Sequence, residues 1–170
     1  MSHLPLRPAP DGIATYQFQV VAANIADAVR SIGGLIFDRA MAGWEVSVVV
    51  GGDTDRGVDD RPIRILGARV IRRLSDPNDA RLLPLPHMLA VATDVLVNSE
   101  VVRRHVLTIG NDQKAEVLLW GRYHPANLGC RFVAARHQPS TAAQVFKSHA
   151  LAAGGTKVMQ RIDESFYTMA

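Results

Sequence analysis

Regular patterning begins at Tyr16–Ala22 (YQFQVVA), which alternates and then runs apolar, so a first strand is predicted there. Asn24 follows as an N-cap, able to satisfy an orphan amide of a helix behind it. Ile25, Val29, Ile32, Ile36 and Ala40 then recur at spacings of three and four, one face of a helix that the pattern carries to Gly43. Glu45–Val50 (EVSVVV) turns continuously apolar, as a parallel strand buried on both faces does. Strand, helix, strand in that order implies a right-handed crossover. Gly33-Gly34, inside the helix, reads as a place of close helix–sheet packing.

Further along, Gly51–Arg61 is a polar loop, and Ile63–Arg72 (IRILGARVIR) predicts a third strand bent at Gly67. Pro77, Pro84 and Pro86 mark a connection. Residues 87–110 admit two readings. One is a single helix with a stripe through Met88, Ala92, Val95, Ser99, Val102, Val106 and Ile109. The other, favoured by the Val95-Leu96-Val97 run, is a short helix to Thr93, a strand over Asp94–Val97, and a helix over Glu100–Ile109. Ala115–Trp120 and Arg131–Arg136 predict strands. Ser140 or Thr141 caps a helix over Ala142–Ala153. Alternating strands and helices predict a single three-layer Rossmann-like α/β domain, with a mostly parallel sheet of about five or six strands. The organisation is a loose arm over 1–14, the domain over 15–155 and a C-terminal extension over 156–170, read as a further strand or an extended arm.

Bulk numbers sharpen this picture only at its edges. The chain's 170 residues, 48% hydrophobic and 21% charged, suffice for one core and exclude a disordered or disulfide-built chain. A single cysteine, Cys130, reads as a buried small hydrophobe in a cytoplasmic protein. The N-terminal stretch has no apolar run of the signal-peptide kind, and no segment is long and apolar enough for a membrane span. Net charge is only +3, and its arginines are scattered rather than gathered on one face.

Open α/β sheets bind ligands at the carboxyl ends of their strands, which selects the loops at 22–24, 51–61, 98–100 and 121–129. The candidate ligand-binding residues are Asn24, Gly52, Asp53, Asp55, Asn98 and Ser99. Asp53, Asp55, Asp59 and Asp60 lack the ligand spacing of an EF-hand, and the interleaved Arg56, Arg61 and Arg64 make them a neutralised turn rather than a metal site. Trp120-Gly121-Arg122 and Tyr123-His124-Pro125 bring aromatic and cationic groups to one loop that can line a pocket. No dinucleotide fingerprint, P-loop, nucleophile elbow or paired metal-site histidines occur, and no cofactor is indicated.

Two sharper readings share one segment, ATDVLVNSEVVRRHV (92–106). As a helix-turn-helix it would present Arg103, Arg104 and His105 to DNA. As strand DVLV followed by NSE and a helix, it resembles the strand–Ser–Glu–helix step in the acceptor-side domain of GT-B glycosyltransferases. SIGGLIFDRAMAGWEVSVVV (31–50) is similar to the glycine-bearing first helix and following strand of that domain. The resemblance implies a nucleotide or nucleotide-sugar binding domain. It does not imply a free-standing transferase, because that family's donor site lies in a second half, and the first strand here has no glycine-rich loop.

With no convergent acid, base, nucleophile or metal set, the leading expectation is a small cytoplasmic binding or regulatory protein without catalysis of its own. Its partner would be another protein or a small-molecule ligand. Nucleic acid is not favoured and no membrane is expected; an edge strand or the arm offers a surface for a homo-oligomer.

Overall fold

A computed structural model describes residues 2–3, 15–50, 57–72, 86–113, 115–157 and 162–170. In chain order its elements are β1 (Ser2–His3), β2 (Gln17–Ala22), α1 (Ile25–Met41), β3 (Glu45–Val50), α2 (Arg61–Ile65), β4 (Arg69–Arg72), β5 (Met88–Ala92), α3 (Thr93–Asn98), α4 (Glu100–Asp112), β6 (Glu116–Trp120), a 3-10 turn (Pro125–Leu128), β7 (Phe132–His137), α5 (Thr141–Ala153) and β8 (Glu164–Met169). They form one sheet in the order β1-β7-β8-β6-β5-β2-β3-β4. Neighbouring strands are parallel except that β8 runs antiparallel to both β6 and β7. Among the described residues the sheet has seven strands of four residues or more besides the two-residue β1, where five or six strands were expected.

The alternation of side chains divides the core in two. Phe18, Val20, Val48, Ala90 and Leu118 point to one face, where Ile32, Leu35, Ile36 of α1 and Ala143, Ala150 of α5 cover them. Val21, Val49, Val91 and Leu119 point to the other, under Val102, Val106 and Ile109 of α4. β2, β3 and β5 are buried on both faces because each is covered twice, which is why β2 and β3 turn continuously apolar toward their ends and β5 is apolar throughout.

Two expected elements come out differently. The strand over 63–72 is shorter: Pro62 opens a helical turn whose Ile63 and Leu66 are buried one turn apart, and the strand starts only at Arg69. Over 88–98 the helix and strand are exchanged. MLAVA is apolar at every position and takes the buried centre of the sheet between β2 and β6. TDVLVN forms α3, burying Thr93 and Leu96 and leaving Val97 58% exposed, which a central strand would not do. In the tail, Glu164–Met169 forms the further strand, β8, which lies between β6 and β7. Cys130 is a half-buried free thiol rather than a core residue.

Candidate functional site

The parallel strands direct the first turn of α1, the start of α3 and the loop after β6 to one edge of the sheet. Two crevices open there, one on each side of segment 120–125.

The larger, about 450 Å³, has an apolar wall of Leu96, Val97, Pro125 and Leu128 and a polar rim of Thr93, Arg103, Tyr123 and His124. Its rim is held from below by Gly121, whose φ of +131° is open to glycine and whose added Cβ would fall 2.3 Å from Thr93 Oγ1. That close approach brings the Tyr123 amide to donate to Thr93 Oγ1 at 3.3 Å. His124 caps the 3-10 turn: its Nδ1 accepts from the Ala126 amide at 3.1 Å. In the neutral ring the proton therefore sits on Nε2, which is a donor. The edge of Tyr167, with ring centroids 5.0 Å apart, steadies the imidazole. Arg103 pairs with Glu100 one turn back on α4.

The smaller crevice, about 310 Å³, has Asp27, Arg30, Ser31, Trp120, Arg122 and Lys147 among its lining residues. Asp27 accepts from Trp120 Nε1 at 3.1 Å and Ser31 Oγ at 3.2 Å, with Arg30 at 3.4 Å. Below it, Glu164 is fully buried and accepts from Lys147 Nζ at 2.7 Å and from the Gly34 and Leu35 amides at 2.6 and 2.9 Å. Burial pushes the Glu164 carboxyl above the usual glutamate range, against the opposing pull of Lys147 and the two amides.

Of the residues singled out in the sequence, Asn24 caps α1 through Oδ1 to the Asp27 amide at 2.8 Å. Asn98 donates to the Asp94 carbonyl at 2.8 Å, and Ser99 caps α4. All three serve helix ends and line neither crevice. Gly52, Asp53 and Asp55 lie outside the described residues. Asp59 is held by Arg61 at 2.7 Å, which pulls its carboxyl down to about 2, and Asp60 meets Arg64 at 3.3 Å. Among the described residues no three His, Cys, Asp or Glu side chains gather where a metal ion would sit. The loop 120–125 does what its aromatic and cationic composition suggested and lines both crevices. Thr93, Asp27 and Ser31 carry no local sequence signal of a site: only the end of β5 at Ala92 makes Thr93 a strand-end residue.

The helix-turn-helix and glycosyltransferase-like readings fail on the same geometry. Ala92 ends a central strand rather than sitting in a first helix, and α3 is only six residues long. Arg103 and Arg104 pair with Glu100, and His105 has a buried ring nitrogen. DVLV is helical, so the strand–Ser–Glu–helix step is absent. No helix among the described residues is long and apolar enough to cross a membrane.

No protein-family model and no curated protein sequence matches the chain. Solved structures do match its fold. A deacetylase triple mutant of the teicoplanin biosynthetic pathway superposes with a TM-score of 0.63 at 14% identity, over 92% of this chain and 98% of that one. The A40926 pseudoaglycone deacetylase Dbv21 gives 0.61 at 14%, over 82% and 81%. The conserved protein TT1542 from Thermus thermophilus gives 0.51 at 14%, over 82% and 78%. At such identities the likeness is one of fold. It corrects the expectation of a binding or regulatory domain without catalysis to this extent: the fold is one that named deacetylases have, matched over 98% of one and 81% of the other.

Proposed function

We propose that the chain is a hydrolase that removes an acyl group from an amine, with the acyl group seated in the larger crevice. The observation that carries this reading is the pairing, at the strand carboxyl ends, of an apolar wall with a rim of hydrogen-bonding side chains in a fold that deacetylases share. Leu96, Val97, Pro125 and Leu128 offer an acyl chain a surface away from water. Thr93 Oγ1 already accepts from Tyr123 N, which leaves its hydroxyl proton to give. With His124 Nε2–H and the Tyr123 hydroxyl it supplies donors to an acyl oxygen.

In hydrolysis water adds to the acyl carbon, negative charge gathers on that oxygen, and the carbon–nitrogen bond breaks as the amine leaves with a proton. Donors fixed in advance favour the charged species over the neutral ground state, and one such donor is worth about a hundredfold in rate. A cytoplasmic setting agrees with the single unpaired cysteine.

The test is release of free amine from a panel of N-acetyl and N-octanoyl amines, amino acids and amino sugars, assayed with and without divalent cations. Release is expected, falling about a hundredfold in His124→Ala and less in Tyr123→Phe. A folded protein that frees no amine from any member would end this reading.

A further inference from the structure

The smaller crevice contains a cation that its own neighbours leave unmatched. Its three acids are all engaged: Asp27 by Trp120, Ser31 and Arg30, Asp163 by Arg136 at 3.2 Å, and Glu164 by Lys147 and two amides. Arg122 is exposed at the crevice wall and makes no ion pair or hydrogen bond among the described residues. It follows Gly121, whose backbone is pinned against Thr93, so its Cα is placed by the same contact that builds the larger crevice. Arg30, with 43% of its side chain exposed, lines the crevice as well and is only loosely held by Asp27.

We infer that this crevice is a subsite for a carboxylate on the substrate's amine half, bound by Arg122 with support from Arg30. A guanidinium presents paired N–H donors that match a carboxylate's two oxygens. The charge balance favours a single negative charge: the crevice's three acids are each engaged by neighbouring donors or cations, so the one guanidinium of Arg122 is what remains to be matched. The inference rests on the acyl-amine reading and narrows it, from acylated amines in general to N-acylated amino acids and similar acids.

Calorimetric titration of the full chain with N-octanoylglycine and with its uncharged carboxamide tests this, with free glycine followed in the same samples. The acid is expected to bind about tenfold more tightly or better. Arg122→Gln should abolish that preference and Arg122→Lys should keep part of it; Arg122 is exposed, so neither change threatens folding. Equal binding of acid and amide, no binding of either, or a preference that survives in Arg122→Gln overturns the subsite. Inorganic phosphate competing better than acetate overturns its assignment to a carboxylate. Tight, Arg122-dependent binding without release of glycine leaves the subsite standing and counts against hydrolysis, while release without acid preference does the reverse.

Discussion

Gly33 and Gly34 are neighbours in α1 with different surroundings. A methyl group at 34 would fall 2.5 Å from Pro139 Cγ and 2.9 Å from Glu164 Oε1; at 33 the nearest atom is Leu66 Cδ1 at 3.3 Å. Alanine in place of glycine favours a helix by about 1 kcal/mol. Overpacking a tight contact costs about 1–3 kcal/mol. Gly34→Ala is therefore expected to lose stability and Gly33→Ala to stay near the parent, as urea unfolding would read directly. A Gly34→Ala protein as stable as the parent would mean that Pro139 yields freely. The pair was legible in the sequence as a close-packing site. Its partners were not: they are Leu66 and, more than a hundred residues away, Pro139, Lys147 and Glu164, rather than the sheet alone.

At the scale of elements, the starts of α1, α4 and α5 were well marked because capping is local, whereas α2 and α3 begin without a side-chain cap. Asn24, Ser99 and Ser140 each accept an amide three residues on, as their side chains predict. Ser140 has a second task that no local pattern reveals. Its hydroxyl donates to Asp38 Oδ1 at 2.5 Å, and its amide and His137 Nε2 reach Oδ2 of the same buried carboxylate at 3.0 and 2.9 Å. Ser99→Ala should cost about 0.5–1 kcal/mol, the loss of a cap whose bond is already 3.4 Å long. Ser140→Ala should cost about 2–3 kcal/mol, since it also strips a donor from a buried charge. Equal losses in the two variants would refute the added role of Asp38. The stretch misread in the sequence, over 88–98, opens with five apolar residues in a row, Met88–Ala92. Periodicity alone does not separate a short buried strand from a helix there.

Across the whole molecule, Glu164 joins three distant parts: it begins β8, pairs with Lys147 of α5 and accepts two amides of α1. Because burial raises its carboxyl in the folded state, the folded chain holds that proton at pH values where the unfolded chain has released it. Its contribution to stability is thus greatest below about pH 4.3, where an unfolded glutamate is protonated. The contribution is lost as the pH climbs through the raised folded value. Urea unfolding of the parent and of Glu164→Gln from pH 4 to pH 8 should show the parent losing ground to the variant as pH rises. The opposite trend would mean that Lys147 and the amides outweigh burial.

The α/β class, the first strand–helix–strand unit, the caps and the promise of loop 120–125 all follow from residues close in the chain. They depend on backbone preference and on side-chain period, both short-range. Strand order, the insertion of β8 between β6 and β7, the seat of Glu164, and the meeting of Thr93 with Tyr123 depend on contacts between segments far apart. There the free energy comes from filling one shared interior and satisfying buried polar groups, and only the folded chain settles which segments do so together.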